Sequence, residues 1–159
     1  HGSASDKVIQ NNELVTFDIG CSYKGYTSDL TRTVAFGNPD PKLIEIYNIV
    51  YEAQVKAVKA AKAGMTGKEL DSICRDHITE KGYGEYFKHG TGHGVGLDVH
   101  EGPRVSQANP EPLNVGTCIT VEPGIYISGL GGVRIEDDLI LTEDGAIILN
   151  KFPKELIRL

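Results

Sequence analysis

The chain has 159 residues, a formal net charge of −6 and 19 glycines. This length fits one domain, which can bury about 70% of its unfolded surface without disulfide staples. The 22 acidic residues outnumber the 16 basic ones, which argues against a nucleic-acid partner because phosphate binding needs clustered positive charge. Glycine at about 12%, against a usual ~7%, predicts many tight turns and close backbone approaches.

Membrane and secretory signals are not found in the sequence. No run of 18 apolar residues predicts a membrane helix, and the N-terminal residues include no apolar signal segment. The three cysteines, Cys21, Cys74 and Cys118, are widely spaced and odd in number. We therefore expect reduced thiols acting as small buried hydrophobes in a cytoplasmic protein without membrane contact.

The first predicted element is a β-hairpin over residues 13–36. Strand-forming residues run from Leu14 to Gly20 and from Tyr26 to Phe36, and turn residues lie between them.

Two helices are predicted next. Asp40 is a suitable N-cap for the first, and Gly64 a suitable C-cap. Thr66 and Glu69 can form a capping box that opens the second helix, which ends at residues 81–82.

The last part of the chain reads as a glycine-rich loop over residues 88–104, followed by strands over 117–127, 132–142 and 146–149. No repeat or linker divides the chain, so we expect one domain over residues 1–159. A hairpin, two helices and then strands predict an α+β fold, in which helices cover one face of a mostly antiparallel sheet.

Carboxylates interrupt the predicted strands. Asp18 lies in an otherwise apolar strand, where an unpaired charge is costly. A turn centred on residues 23–24 would place Asp18 opposite Asp29, and two such carboxylates hold a proton or a metal between them. An ion pair of either aspartate with Arg32 is the alternative.

Glu122 and Glu136 repeat this anomaly on two later strands. A single carboxylate on a strand is usually an exposed surface residue, but four carboxylates on four strand-like segments indicate a common site. Oxygen ligands of this kind favour a hard cation.

Three histidines, His89, His93 and His100, lie within twelve residues among four glycines. Glycine lets a backbone approach a metal or substrate closely, and imidazole binds metals and moves protons near neutral pH. The glycines alternate strictly, unlike a dinucleotide-binding GxGxxG motif. HExxH, GxSxG and Walker lysine motifs are also absent.

With these motifs the chain resembles the pita-bread metallopeptidases, the family of methionine aminopeptidase, aminopeptidase P and prolidase. The matching segments, in the family's order, are residues 17–20, 27–33, 89–101, 120–124 and 134–137. The resemblance implies a curved, mostly antiparallel pita-bread sheet with helices on its outer face. The Leu-Asp-Val-His-Glu segment at 97–101, and Arg134 two residues before Glu136, are similar to the Xaa-Pro branch of the family.

This resemblance implies a site for two divalent metal ions. Asp18 would chelate one ion, Asp29 and Glu136 would bridge both, and His93 and Glu122 would bind the second. One imidazole with four carboxylates suits Mn²⁺ or Co²⁺, and Zn²⁺ or Fe²⁺ would also be accepted.

The implied reaction is hydrolysis of the Xaa-Pro bond at the N-terminus of a dipeptide or short peptide. A hydroxide bridging the two ions would attack the carbonyl carbon. His100 would stabilise the oxyanion, and Glu122 would carry the proton to the leaving proline nitrogen. His89 would line the substrate pocket, with His1 and Arg134 also near the substrate.

The family's catalytic domain is longer than this chain. Two helices and a strand normally precede the position of His1, and the Xaa-Pro branch adds a separate N-terminal domain. We therefore expect part of the catalytic domain of a longer, homodimeric enzyme. The alternatives are an inactive fragment or a protein-binding module of the same fold. A metal-free hydrolase of the creatinase type is disfavoured because such enzymes lack the full ligand set.

Overall fold

The structure is a computed structural model that describes residues 5–159, and the predicted substrate-side residue His1 lies outside them. The helices are α1 (Pro41–Ala60) and α2 (Gly67–Glu80), followed by a short 3-10 helix at Gly84–Tyr86. The strands are β1 (Glu13–Ile19), β2 (Ser22–Tyr23), β3 (Tyr26–Thr27), β4 (Leu30–Phe36), β5 (Gly92–Gly94), β6 (Glu101–Val105), β7 (Cys118–Val121), β8 (Gly124–Ile127), β9 (Gly131–Arg134), β10 (Asp137–Leu141) and β11 (Ala146–Ile148).

The predicted hairpin forms, but its register differs from the prediction. β1 pairs with β4 and β2 with β3, both antiparallel, so that Asp18 faces Thr31. The tight turn falls at Lys24 and Gly25, with φ angles of 50° and 86°. Two-residue hairpin turns of this kind need positive φ at both central positions, which moves the turn one residue along the chain. The prediction that Asp18 lies directly opposite Asp29 is therefore wrong.

A five-stranded antiparallel sheet has the order β11-β10-β7-β5-β6. The expectation of a loop over residues 88–104 is wrong in part, because β5 and β6 lie within it. A side chain at Gly92 would meet the Thr120 carbonyl oxygen at 2.0 Å, and one at Gly94 would meet the Gly102 oxygen at 2.2 Å. The glycines therefore let β5 pack between its neighbours, although their composition indicates no strand.

The two long strands predicted at 117–127 and 132–142 are each broken in the middle. Before the break β7 pairs with β10, and after it β8 pairs with β9 in a separate two-stranded sheet. Val121 faces Asp137 on one side of the break, and Gly124 faces Arg134 on the other. The same register carried across the break places Glu122 opposite Glu136.

Both predicted helices form with their predicted N-caps. The Asp40 side chain accepts a hydrogen bond from the Lys42 amide, and Thr66 and Glu69 form the reciprocal capping box. The first helix ends at Ala60, earlier than the Gly64 cap implied. The buried faces of both helices pack with the strands into one core, which includes Tyr47, Ile46, Leu70, Ile78, Ile119, Ile125, Ile135 and Leu139.

The cysteines are all free, but they differ in burial. Cys74 is buried, Cys118 is half-buried and Cys21 is exposed. The expectation of three buried hydrophobes is therefore wrong for Cys21, which lies on the outer hairpin with its Sγ 3.4 Å from Ser28 Oγ. Within residues 5–159 no helix is both long and apolar enough to span a membrane.

Candidate metal centre

A cleft of about 820 Å³ opens beside the break in the strand ladder. Its walls include all the described residues that were predicted from the sequence to form the site: Asp18, Asp29, His89, His93, His100, Glu122, Arg134 and Glu136. These side chains come from the hairpin, from the glycine-rich segment and from the two broken strands. The fold thus brings together residues that are more than one hundred positions apart in the chain.

Ligand atoms converge in three overlapping groups, each with its atoms within 4.8 Å of one another. The groups are Asp18, Asp29 and Glu136; His93, Glu122 and Glu136; and Asp29, His93 and His100. Together they contain the five predicted metal ligands and one further residue, His100. Glu136 belongs to both carboxylate-rich groups, and Asp29 links the first group to the histidines.

His93 and Glu122 are in direct contact. His93 Nε2 lies 3.1 Å from Glu122 Oε1 and 3.8 Å from Asp29 Oδ2. Thr120 Oγ1 accepts a hydrogen bond from the His93 amide at 3.0 Å and donates one to Glu122 at 3.1 Å. Burial is the largest single influence and lowers the pKa of His93, but the hydrogen bonds to Glu122 and to the Gly94 carbonyl, together with the charges of Glu122 and Glu136, outweigh burial and raise the pKa to about 9. Without a metal ion, the imidazolium therefore serves as the counter-charge of these acids.

Glu136 shows most clearly that the acidic cluster suits a cation. Its Oε2 accepts a hydrogen bond from Thr31 Oγ1 at 2.5 Å, whereas its buried Oε1 has no hydrogen-bond partner. Burial raises the pKa of Glu136, and the charges of Glu122 and Asp29 raise it further. Burial and the Asp18 charge likewise raise the pKa of Asp29. A divalent ion would supply the partner that the buried oxygen lacks, so the donor set fits a metal.

The backbone of Asp29 is held by two polar side chains. Asp138 Oδ2 accepts a hydrogen bond from the Asp29 amide at 3.0 Å. Asn150 donates weakly to the Asp29 carbonyl at 3.4 Å and accepts from the Asp138 amide at 2.5 Å. Asp29 lies between β3 and β4, where the hairpin ladder is interrupted, and these side chains replace the missing ladder contacts.

Arg134 connects the hairpin to the wall of the cleft that holds Tyr126 and His89. Its guanidinium forms an ion pair with Asp18 and donates to Tyr126 Oη at 3.2 Å. The same Tyr126 hydroxyl lies 2.9 Å from His89 Nε2. Burial lowers the pKa of His89. Arg134 thus orients a predicted metal ligand in addition to lining the cleft.

The alternative ion pairs of Arg32 with Asp18 or Asp29 are not formed. Arg32 instead pairs with buried Asp137 at 2.6 Å and donates to the backbone carbonyl of Glu136. Because side chains alternate along β4, Arg32 and Thr31 point to opposite faces, and Arg32 lies behind the cleft.

The sequence analysis gave no role in the site to several residues that contact it: Thr31, Thr120, Tyr126, Asp138 and Asn150. Thr31 could have been found from the correct hairpin register, which places it opposite Asp18. Thr120 and Asp138 face each other in β7 and β10, and alternation puts Thr120 on the face of Glu122. For Asn150 no sequence signal was present.

Comparison with known proteins identifies the family. Residues 1–143 match metallopeptidase family M24. The chain belongs to that family. The Xaa-Pro dipeptidase of Pyrococcus furiosus is 57% identical to this M24 chain over 157 residues, which are 99% of the chain and 45% of the relative. A relative in Bacillus subtilis, named as an uncharacterized peptidase, is 56% identical over the same share of the chain and 44% of its own length.

Solved structures share the M24 fold. The Xaa-Pro dipeptidase from Bacillus anthracis matches at a TM-score of 0.99 and 58% identity, over 100% of this chain and 45% of that one. The X-Pro aminopeptidase from Thermotoga maritima matches at 0.96 and 49%, with the same coverage. These matches confirm the predicted α+β pita-bread fold. The M24 chain spans less than half the length of the relatives it matches.

Proposed function

We propose that this chain is the metal-binding part of the catalytic domain of a Xaa-Pro peptidase that uses two divalent ions, most favourably Mn²⁺ or Co²⁺. The observation that carries the proposal is the convergence of three carboxylates and His93 on Glu136, whose buried Oε1 has no hydrogen-bond partner. The names of the similar dipeptidase and aminopeptidase support a substrate with proline in its second position.

The proposed ligands divide into two sets that share Glu136. Asp18 and Asp29 lie on the hairpin side, and His93 and Glu122 on the side of the broken strands. Asp29 and Glu136 would be the ligands that the two ions share. When bound, two such ions would acidify a shared water molecule and polarise the substrate carbonyl.

The remaining chemistry falls to side chains around the ligands. Glu122 would accept the proton of the attacking water and return it to the leaving proline nitrogen. His100, whose ring centroid is 4.4 Å from that of His93, would donate an N–H to the charge that develops on the carbonyl oxygen. His89, held by Tyr126, and Arg134 would contact the substrate from the wall of the cleft.

The proposal concerns the longer protein that the relatives represent, because this chain covers about 45% of their length. By the same resemblance we propose that the intact enzyme is a homodimer, and its free cysteines favour a cytoplasmic location.

The test is hydrolysis by the full-length protein. After chelator treatment, the protein would be assayed on Ala-Pro, on Ala-Pro-Ala and on the control dipeptide Ala-Ala, with and without Mn²⁺. We expect Mn²⁺-dependent release of alanine from the proline-containing peptides alone. Mn²⁺-independent cleavage, or no cleavage together with no bound metal, would refute the proposal, and the second result would favour a binding module.

A further inference from the structure

An ion pair on α2, between fully buried Asp71 and half-buried Arg75, holds the chain segment that leads into the metal centre. We propose that Asp71 and Arg75 are positioning residues that fix the backbone around His89 and Thr91 and, through it, Glu122. This inference rests on the proposed function, and it assigns a role in that function to a helix that lines no part of the cleft.

Arg75 joins the helix to the segment that carries His89. Its Nη1 donates to the Phe87 carbonyl at 2.9 Å, and its Nη2 donates to the His89 carbonyl at 2.7 Å. The guanidinium also lies 4.4 Å from the centroid of the Phe87 ring. A planar guanidinium can hold both carbonyls and stack on the ring at once, whereas a lysine could not.

Asp71 orients that guanidinium and binds the same segment directly. Its carboxylate is fully buried and accepts hydrogen bonds from Arg75 Nε at 2.7 Å and from Arg75 Nη2 at 3.0 Å. It also accepts from the Thr91 amide at 2.9 Å and from Gln107 Nε2 at 2.7 Å. Charged hydrogen bonds in a buried place are strong and directional, so the pair defines one position for the segment.

The peptide groups of Thr91 carry this constraint to the metal centre. Asp71 holds its amide, and its carbonyl accepts a hydrogen bond from the Glu122 amide at 2.7 Å. His93 follows two residues later. The contacts that begin at α2 therefore reach the backbone of His89 directly and that of Glu122 through Thr91. Polar groups behind metal ligands fix ligand orientation in this way.

A purely structural ion pair would stabilise the fold without setting the geometry of the site, and side-chain variants separate the two roles. In the full-length protein, Arg75→Met removes all donors, and Arg75→Lys keeps a charge beside Asp71 but cannot hold both carbonyls. Asp71→Asn weakens the pair at its other end. Ile78→Val, which trims a buried apolar side chain on the same helix, is the matched control for lost stability.

Two readouts would be measured well below each variant's melting temperature: kcat/KM for Ala-Pro with Mn²⁺, and the imidazole NMR resonances of His89 and His93 in the metal-free protein. We expect kcat/KM to fall about 10- to 100-fold in Arg75→Met and Asp71→Asn, with shifted His89 resonances. Compared with Arg75→Met, Arg75→Lys should bring the melting temperature closer to the wild-type value than it brings kcat/KM. Ile78→Val should change neither kcat/KM nor the imidazole resonances.

Wild-type kcat/KM and unshifted resonances in folded Arg75→Lys and Asp71→Asn would overturn the inference, even if Arg75→Met fails to fold. Wild-type protein that does not cleave Ala-Pro would refute the proposed function. In that case shifted His89 resonances in the variants would still support positioning, and unshifted ones would reject it.

Discussion

Glu122 and Glu136 lie opposite each other at the gap between two antiparallel strand pairs that share one register. The gap removes ladder contacts at the two positions where carboxylates face the cleft. Burial raises the pKa of Glu136, and the nearby Glu122 charge is the next cause. The strands thus hold two like charges together, which is unfavourable in an empty site and favourable around a cation.

The stability of the metal-free protein should fall as pH rises. Because the folded pKa of Glu136 lies above its ordinary 4.5, the native state binds more protons than the unfolded state between the two values, and stability is lost as pH rises through the folded pKa. His93, with its pKa raised from 6.5 to about 9, acts in the same direction. Urea unfolding in chelator at pH 7 to 9 measures this, above the ordinary pKa of 6.5 below which the lowered pKa values of His77 and His89 act in the opposite direction. Stability that increases over that range would contradict these assignments.

Glu136→Gln should affect stability with opposite signs in the two metal states. In chelator at pH 9 the variant should unfold about 2–4 °C above wild type, since a buried charge is removed. In Mn²⁺ at 100 times its Kd, wild type should gain about 2.7 kcal/mol for each bound ion, and the variant should gain little. Thermal unfolding with exposed Glu80→Gln as the control checks both. A variant that is less stable in both states would indicate an ordinary structural role.

His100→Ala should separate catalysis from metal binding. If His100 donates to the developing oxyanion, its loss should lower kcat about 100-fold and leave the Mn²⁺ affinity within about threefold of wild type. Calorimetric Mn²⁺ titration and Ala-Pro kinetics measure the two effects. A large loss of affinity would instead make His100 a metal ligand, a role that its closeness to Asp29 and His93 also allows.

Asn150→Ala should weaken metal binding from outside the site. The Asn150 amide contacts the Asp29 carbonyl and the Asp138 amide, so its removal loosens the backbone of a proposed bridging ligand. We expect about a tenfold weaker Mn²⁺ affinity, whereas Asn48→Ala on the exposed face of α1 should have no effect. Unchanged affinity would show that Asp138 alone suffices to hold Asp29.

Much of the fold could be read from local chemistry. The Thr66 and Glu69 capping box and the Asp40 cap depend on neighbours in sequence, and both helices begin where those residues indicate. The hairpin register depended on which two residues adopt positive φ, and the prediction placed the turn one residue early. β5 was missed because Gly92 and Gly94 indicate a loop, and only close packing against Thr120 and Gly102 makes them a strand.

The candidate metal ligands were easier to predict from the sequence than the residues that hold their backbone in place. A charge in an apolar strand is costly wherever it occurs, so Asp18, Glu122 and Glu136 could be recognised without the fold. Asp71 and Asn150 could not, because an aspartate on a helix or an asparagine after a strand is ordinary in sequence. Their contacts with Thr91 and Asp29 form only when distant segments meet.

The number of metal ions bound per chain is the most direct test of the proposed two-metal site. Metal-free full-length protein would be titrated with Mn²⁺ by calorimetry, and bound metal would be counted by elemental analysis after dialysis. We expect two ions per wild-type chain, with loss of both metal and Ala-Pro hydrolysis in Asp29→Ala and Glu136→Ala. Full metal content and activity in Glu136→Ala, or a wild-type protein that binds no divalent ion, would contradict the proposed two-metal site.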